Sequence, residues 1–418
     1  HPTNPNIVLG GSNAAEITSI NWLSQGWYVS TNGGNSWTGS DTLPPHLPQF
    51  SLYTSDPAVG IDLNGNMYFN TLLYGTGAGD VVTTKSTNNG ASWSSFSAVP
   101  NATTGEDKNH FTVDVNPNSP YVGNLYTSYT EFDVSPNRLN FSRSTNGGTS
   151  FTAPMVISNG GSVDQGVNLA VGPDGEVYGV WTSYVSFPSN SNVGFNKSTD
   201  GGATWGTQTS IFTGVADIRG NLIKGGNSVR VSSFPSLAVD RSMGSRRGWL
   251  YAAWPAKPNG NPDIFLSRST DGGATWSDPS QVNQDETNRD QWESWITCDP
   301  ATGAVYIMYY DSRNFAANDS AQVYLARSLD GGDTFEEVLV SDHAFLPKAI
   351  TGLAGGYMGD YISVIANNGI VYCFWNDNRS GHHLEYVAKA IFGPSIVHEP
   401  LGNTENMAGP YAVSANVS

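Results

Sequence analysis

Positive charge is scarce in this chain: 19 Lys and Arg residues stand against 36 Asp and Glu, a formal net charge of −17. Nucleic acids and anionic membrane surfaces are held by basic patches, so neither is an expected partner. Long apolar runs are missing, and with them any helical segment able to cross a bilayer. Apolar residues at helical spacing are missing from every long stretch as well. Cysteine is limited to Cys298 and Cys373. Both fall in expected strands of neighbouring units, where a disulfide or two buried thiols fit equally well. No signal peptide precedes His1, so the chain reads as processed or truncated.

What is plentiful is glycine, 47 residues of it, together with Ser, Thr, Asn and short strand-like runs rich in Val, Tyr, Phe and Trp. That is the composition of an all-β protein. One stretch recurs. It reads STNGGNSW from Ser30, STNNGASW from Ser86, STNGGTSF from Ser144, STDGGATW from Ser198 and again from Ser269, and SLDGGDTF from Ser328. An Asn or Asp that hydrogen-bonds its own backbone, followed by residues tolerating positive φ, makes a tight hairpin turn. The flanking hydroxyls tie the turn to itself, and the closing Trp or Phe enters the space between neighbouring units. Copies lie about 54 to 71 residues apart, slightly longer than the period of four-stranded propeller blades. The pattern S-x-[DN]-x-G-x-[ST]-[WF] resembles the Asp-box of the bacterial neuraminidase repeat family, whose members are β-propellers. In that family the box is a structural turn remote from the active site.

Each unit reads as four antiparallel strands, the third running into the box. Five units are complete. The first lacks sequence for its inner strand and the last lacks a box, so seven blades are expected, or six if these two partial units merge. Residues 1–418 then form one propeller domain, closed by the N-terminal segment and by the tail PYAVSANVS (410–418), which would remove both free edges. Two connections exceed the period, 217–233 and 343–359, and long connections on a rigid scaffold are where function concentrates.

Blade topology puts the boxes on one face and the fourth-to-first and second-to-third strand loops on the other, around the channel mouth. On that second face the sequence places Asp56, the run from Glu106 through Asp107 and Lys108 to His110, Arg230, Phe234, Arg289, Trp292, Glu293, Asp360 and Tyr361. It also places there Asn13, Tyr74, Glu131, Tyr184, Asp311 with Arg313, and Asp377 with Arg379. Carboxylates, aromatics and arginines on one rim suit a saccharide, whose hydroxyls need acceptors and whose apolar faces stack on rings. His110, Tyr361, Glu293 and Asp107 are the candidates for acid, base or nucleophile. Arg313, Arg379, Arg289, Trp292, Asp56, Glu131 and Asp360 are the candidates for holding substrate. Each has a plainer reading: Asp311/Arg313 and Asp377/Arg379 as inter-blade ion pairs, His110 and Tyr361 as packing residues, Asp107 and Lys108 as a turn, Trp292 as core. No cofactor is expected. A structural Ca²⁺ is compatible with the Asx-rich loops, although none has an ordered ligand spacing.

Phrases such as FPSLAVD, DSRN and GDYISVIANNGIVYCFWNDNR extend the likeness to sialidase-type propellers over nearly the whole chain. The resemblance implies a secreted, monomeric, carbohydrate-active protein. Active sialidases carry an arginine triad, an Asp acid/base and a Tyr paired with a Glu. The Phe/Tyr-Arg-Ile-Pro motif that supplies the first arginine is absent here, so no triad member transfers by motif. Related propellers include polysaccharide lyases, with His or Tyr as base and Arg neutralising a uronate, and non-catalytic adhesion modules. A glycoside hydrolase or uronate lyase acting on an anionic or complex glycan is therefore expected, with glycan or protein binding alone as the alternative.

Overall fold

The computed structural model describes residues 1–16, 22–44, 53–74, 80–100, 105–159, 161–188 and 190–392, with 396–397 and 416–417. These residues contain no helix and form a seven-bladed β-propeller. Five blades are four-stranded antiparallel sheets. Blade two is typical, with Tyr53–Ile61 innermost, then Met67–Tyr74, Asp80–Ser86 and Ser97–Ala98. Three strands are described in blade one (Val8–Glu16, Trp22–Ser30, Thr38–Ser40) and three in blade seven (Ser363–Asn367, Ile370–Asp377, Leu384–Ile391). The second strands are buried along their whole length in Leu125–Glu131, Leu250–Ala256 and Val305–Asp311. Each lies between two neighbouring sheets, which is why Leu250–Ala256 and Val305–Asp311 are mainly apolar or aromatic rather than alternating.

The boxes have the expected internal bonding. In the box from Ser269, the Asp271 carboxylate accepts from the Thr275 hydroxyl (2.6 Å), the Thr275 N–H (2.9 Å), the Ser269 hydroxyl (2.8 Å) and the Ala274 N–H (3.0 Å). Those bonds, led by Thr275, hold its pKa down at about 2. Gly273 has φ 85°, and a Cβ there would lie 2.4 Å from the Phe195 ring of the preceding blade. Trp276 completes the joint, edge-on to Phe195 at 5.3 Å.

A second recurrent joint sits one residue before the box serine. Arg143 donates to the Gly201 carbonyl (2.7 Å), Lys197 to Gly272 (2.7 Å) and Arg268 to Gly331 (2.8 Å), each reaching the next blade's box. Lys389 of blade seven does the same to Gly33 of blade one (2.8 Å), so the ring closes at its outer edge through the same bond. Cys298 and Cys373 are buried free thiols, which decides between the two alternatives their positions allowed. The tail expected to supply the missing inner strand lies outside the described residues, apart from Asn416 and Val417.

Candidate functional site

Strand register separates the two faces. In blade three Leu125 pairs with the box serine Ser144, while Glu131 at the far end pairs with both Arg138 and Glu106. The boxes are thus at one end of the strands and the candidate residues at the other.

At that second end the inner strands of four blades slip register: between Ser55 and Ala58, Asp107 and His110, Gln165 and Asn168, and Trp292 and Trp295. One residue in each slip adopts left-handed backbone: Asp56 (φ 57°), Lys108 (φ 54°), Gly166 (φ 73°) and Glu293 (φ 49°). A β-bulge of this kind turns one side chain out of the ladder. Glycine adopts it freely, whereas each non-glycine residue costs on the order of 1–3 kcal/mol that the surrounding structure must offset. Gly166 also makes room, since a Cβ there would stand 2.3 Å from the Phe234 ring.

The bulges and the start of blade seven line a cleft of about 1190 Å³, which runs from the channel mouth into the seam between blades seven and one. The Tyr361 hydroxyl donates to Asp56 Oδ2 at 2.9 Å. The Asp56 N–H is held by Asn13 Oδ1 at 2.9 Å. Lys108 Nζ lies 4.0 Å from the centre of the Tyr361 ring, 4.9 Å from that of Phe234 and 3.3 Å from Asp360. Arg230 grips the same Asp360 with both carboxylate oxygens (2.9 and 2.7 Å) and stacks 4.8 Å from Tyr357. Gln165 donates to Asp107 at 3.0 Å. Glu293 borders a smaller cavity of about 50 Å³ that it shares with Lys108, Phe234, Asp360 and Tyr361, and its Oε2 is buried without a hydrogen-bond partner.

Four carboxylates thus face two cations. Burial, then the Asp107 charge, raises the Asp56 pKa to about 6, and burial beside Asp360 raises Glu293 to about 8. Burial also raises Asp107. Asp360 is the exception: burial pushes it up, but Lys108 and Arg230 outweigh that and hold it below the usual carboxylate range. Tyr361 is driven well above its ordinary value, by burial first and then by Asp56 and Asp360. At neutral pH the cluster holds a protonated Glu293, a largely ionised Asp56 and a phenol hydrogen-bonded to it.

The inserted connection builds one wall. It folds as a hairpin, Gly220–Lys224 with Asn227–Val231, and is pinned by the fully buried Lys224, which donates to Asp290 (2.6 Å), Ser312 (3.0 Å) and Asn318 (3.0 Å). The hairpin carries Arg230, and Arg219 immediately precedes it. The Arg219 guanidinium donates to Ser232 Oγ (2.8 Å) and stands 5.6 Å from the Phe187 and Phe234 rings, with no carboxylate paired to it among the described residues.

Several candidates lie elsewhere. Arg313 is enclosed by Asp311 (2.7 Å), Glu337 (2.6 Å) and Asp285 (3.7 Å), and Arg379 by Asp377 (2.6 Å) and Asp342. Neither lines the cleft: each Asp-x-Arg motif forms an ion pair, as the plainer reading had it, but the close pairs of Arg313 with Asp311 and Glu337 and of Arg379 with Asp377 lie within one blade. Trp292 does not face sugar space: it is fully buried, 5.5 Å from Tyr310 and under the Lys224 ammonium at 4.6 Å. The bulge at Glu293 shifts strand parity, so Trp295 takes the cleft position instead. Glu131 is buried against Arg138 (2.6 Å) and Asn140 (2.9 Å), outside the cleft. Arg289 also lies outside it, in a turn where its N–H meets Thr287 Oγ1 (3.2 Å). His110 borders the cleft, but its Nδ1 accepts the Leu169 N–H of the next blade (3.1 Å) and burial lowers its pKa to about 4. It is therefore neutral and engaged between blades. Arg219, Trp295 and Tyr357 went unread in the sequence; Arg219 and Tyr357 fall on the two long connections, the one signal that pointed to them. Among the described residues no three His, Cys, Asp or Glu side chains group as a metal site.

No family model matches the chain. It is 30% identical over 142 residues to a sialidase of Micromonospora viridifaciens, a stretch covering 30% of this chain and 20% of that one. The chain spans about a fifth of the length of the curated sialidases it matches. The α-L-arabinofuranosidase of Fusarium graminearum superposes with a TM-score of 0.52 at 10% identity, covering 81% of this chain and 93% of that one. An ulvan lyase, described as a new polysaccharide lyase family, does so at 0.50 and 11%, covering 82% and 83%. The two superpositions speak for fold, and the sialidase match for a stretch of sequence: the chain is a seven-bladed β-propeller with a stretch similar to sialidases.

Proposed function

We propose that this protein cleaves glycosidic linkages in an anionic or complex glycan bound at the mouth of the channel, as a hydrolase or a lyase, and that it works outside the cell. The observation that carries this reading is the Tyr361–Asp56 hydrogen bond of 2.9 Å in the cleft, with Glu293 bordering the small cavity that shares Lys108, Asp360 and Tyr361 with it. Similarity to carbohydrate-active propellers supports the substrate class.

Glu293, protonated at neutral pH with its Oε2 unpartnered, is the group that gives a proton to the leaving oxygen. Tyr361 keeps its proton at rest and passes it to Asp56 as the phenolic oxygen attacks the anomeric carbon, or as it removes a proton next to a uronate carboxylate. Lys108 above the Tyr361 ring stabilises the charge that develops on the phenol. Arg219, stacked between two rings and with no carboxylate paired to its guanidinium among the described residues, holds an acidic substituent of the sugar, and Trp295 offers a stacking face.

The test is turnover on a panel of uronate-, sialate- and sulfate-bearing glycans with neutral controls. New ultraviolet absorbance marks an unsaturated lyase product, and reducing ends without it mark hydrolysis. Binding without either product, unchanged in Tyr361→Phe, would instead establish an adhesion module.

A further inference from the structure

Two cations at the channel mouth are each held between two aromatic rings. Lys108 stands 4.0 Å from the centre of the Tyr361 ring and 4.9 Å from that of Phe234, and Arg219 stands 5.6 Å from Phe234 and 5.6 Å from Phe187. Tyr361, Lys108, Phe234, Arg219 and Phe187 therefore form one row of alternating rings and cations. The row starts at the Tyr361–Asp56 hydrogen bond and ends on the second-to-third strand turn of blade four.

The hairpin fixes the middle of the row. Its Leu222, Val229 and Val231 pack into the core. Residues opposite one another across a hairpin share a face, and side chains alternate along each strand. The pairing of Gly220 with Val231 and of Asn221 with Arg230 thus turns Arg230 away from the core. The Arg219 guanidinium bonds Ser232 Oγ, two residues on from Arg230, and so lies on that outward face too. Both arginines border the cleft. Arg230 is committed to Asp360, whereas no carboxylate among the described residues pairs with the Arg219 guanidinium.

Phe187 forms the outer end. It follows Val177–Ser186 and meets the fully buried Tyr184 edge to face at 5.0 Å, a contact that sets the ring's orientation and leaves the residue 48% exposed. Exposed apolar side chains on outer strands, such as Val156 and Val338, are ordinary. A ring braced by a buried one, beside an unpaired guanidinium at the rim of a cleft, is a platform on which a sugar can stack.

We propose that the glycan lies along this row and occupies at least one sugar position beyond Arg219, stacked on Phe187, so that the substrate is an acidic oligo- or polysaccharide chain rather than a single terminal sugar. The guanidinium takes the acidic substituent of one sugar, and Phe187 takes the apolar face of the next. The proposal rests on the catalytic reading for where the chain is cut, and on the row alone for how it is held. Phe187 touches no reacting atom; it sets the preference for chain length.

The test is activity against chain length, on disaccharide and hexasaccharide fractions of the acidic glycan that the wild type turns over fastest. The wild type is expected to favour the hexasaccharide by about tenfold in kcat/KM, mainly through KM, as one stacked ring can supply. Phe187→Ala should remove most of that preference and Phe187→Trp should keep it. Should Phe187→Ala fail to fold, Phe187→Leu, which retains an apolar side chain over Tyr184 but no ring, is expected to lose the preference as well. A wild type without the preference, or a preference unchanged in the folded Ala or Leu variant, overturns the proposal. If the wild type turns over no glycan, the catalytic reading fails by itself, and calorimetric titration with the disaccharide and hexasaccharide of oligogalacturonate decides this one. Affinity about tenfold higher for the hexasaccharide, lost in Phe187→Leu, is then expected. Equal affinities, or no binding of either, overturn it.

Discussion

The second-to-third strand corners of blades six and seven and the axial ends of the inner strands use the same residue types and leave them in opposite states. At the corners each arginine is enclosed by carboxylates: Arg313 by Asp311, Glu337 and Asp285, and Arg379 by Asp377 and Asp342. At the axis Asp56, Asp107, Glu293 and Asp360 share Lys108 and Arg230, both of which are committed to Asp360. Complete compensation locks each arginine at its corner. Incomplete compensation leaves Asp56 and Glu293 with raised pKa values and Glu293 without a partner, which is the condition under which carboxylates exchange protons near neutral pH.

That contrast can be broken from either side. The largest effect is expected at the axis: Tyr361→Phe and Glu293→Gln should each lower kcat by about 10³-fold while thermal unfolding stays cooperative. At the corner the reverse is expected. Arg313→Met leaves Asp311 and Glu337 buried without their cation and should destabilise the fold by about 3–5 kcal/mol, with kcat unchanged in protein that remains folded. Lys224→Met belongs with the corner in stability, through its buried bond to Asp290, but should also raise KM because the hairpin it pins carries the cleft wall. Smaller again, Arg219→Met should reduce kcat/KM on an acidic glycan by about 10- to 100-fold and leave its carboxyl-reduced counterpart within about twofold.

The same comparison carries a pH signature in stability. Glu293 has a folded pKa near 8 against an ordinary 4.5, so the folded state binds the extra proton between those values. Its raised pKa therefore adds no cost below about pH 4.5 and destabilises progressively as pH rises to 8. Glu293→Gln should accordingly gain stability relative to wild type on going from pH 5 to pH 9, by on the order of a few kcal/mol, read as a rise in Tm difference. Arg313→Met takes the cation from Asp311, whose pKa burial already raises, and should therefore also lose stability relative to wild type as pH rises.

Much of the ring was legible because its information is local. Six turns carry their own hydrogen bonds within eight residues, and the seven-blade count followed from counting them with the partial units at each end. Asp311 with Arg313 and Asp377 with Arg379 sit two residues apart, so their pairing was readable as well. Sequence left Trp292 open between core and sugar stacking because parity depends on the bulge at Glu293, and a bulge is a property of register against the neighbouring strand. Arg219 and Lys224 act across long sequence separations, on Phe187 and on Asp290 and Asn318, which no spacing rule encodes. The left-handed non-glycine residues of the bulges carry no local mark of it either, since Asp56, Lys108 and Glu293 share neither type nor flanking sequence.

The central claim is that the under-compensated axial carboxylates perform acid and base chemistry. The most direct measurement is the pH dependence of kcat/KM on whichever glycan the protein turns over fastest. The account predicts a bell with limbs near 6 and 8, set by Asp56 and Glu293, and unchanged in position in Arg379→Met. A profile flat from pH 5 to 9, or one whose limbs stay in place in Asp56→Asn, would contradict it.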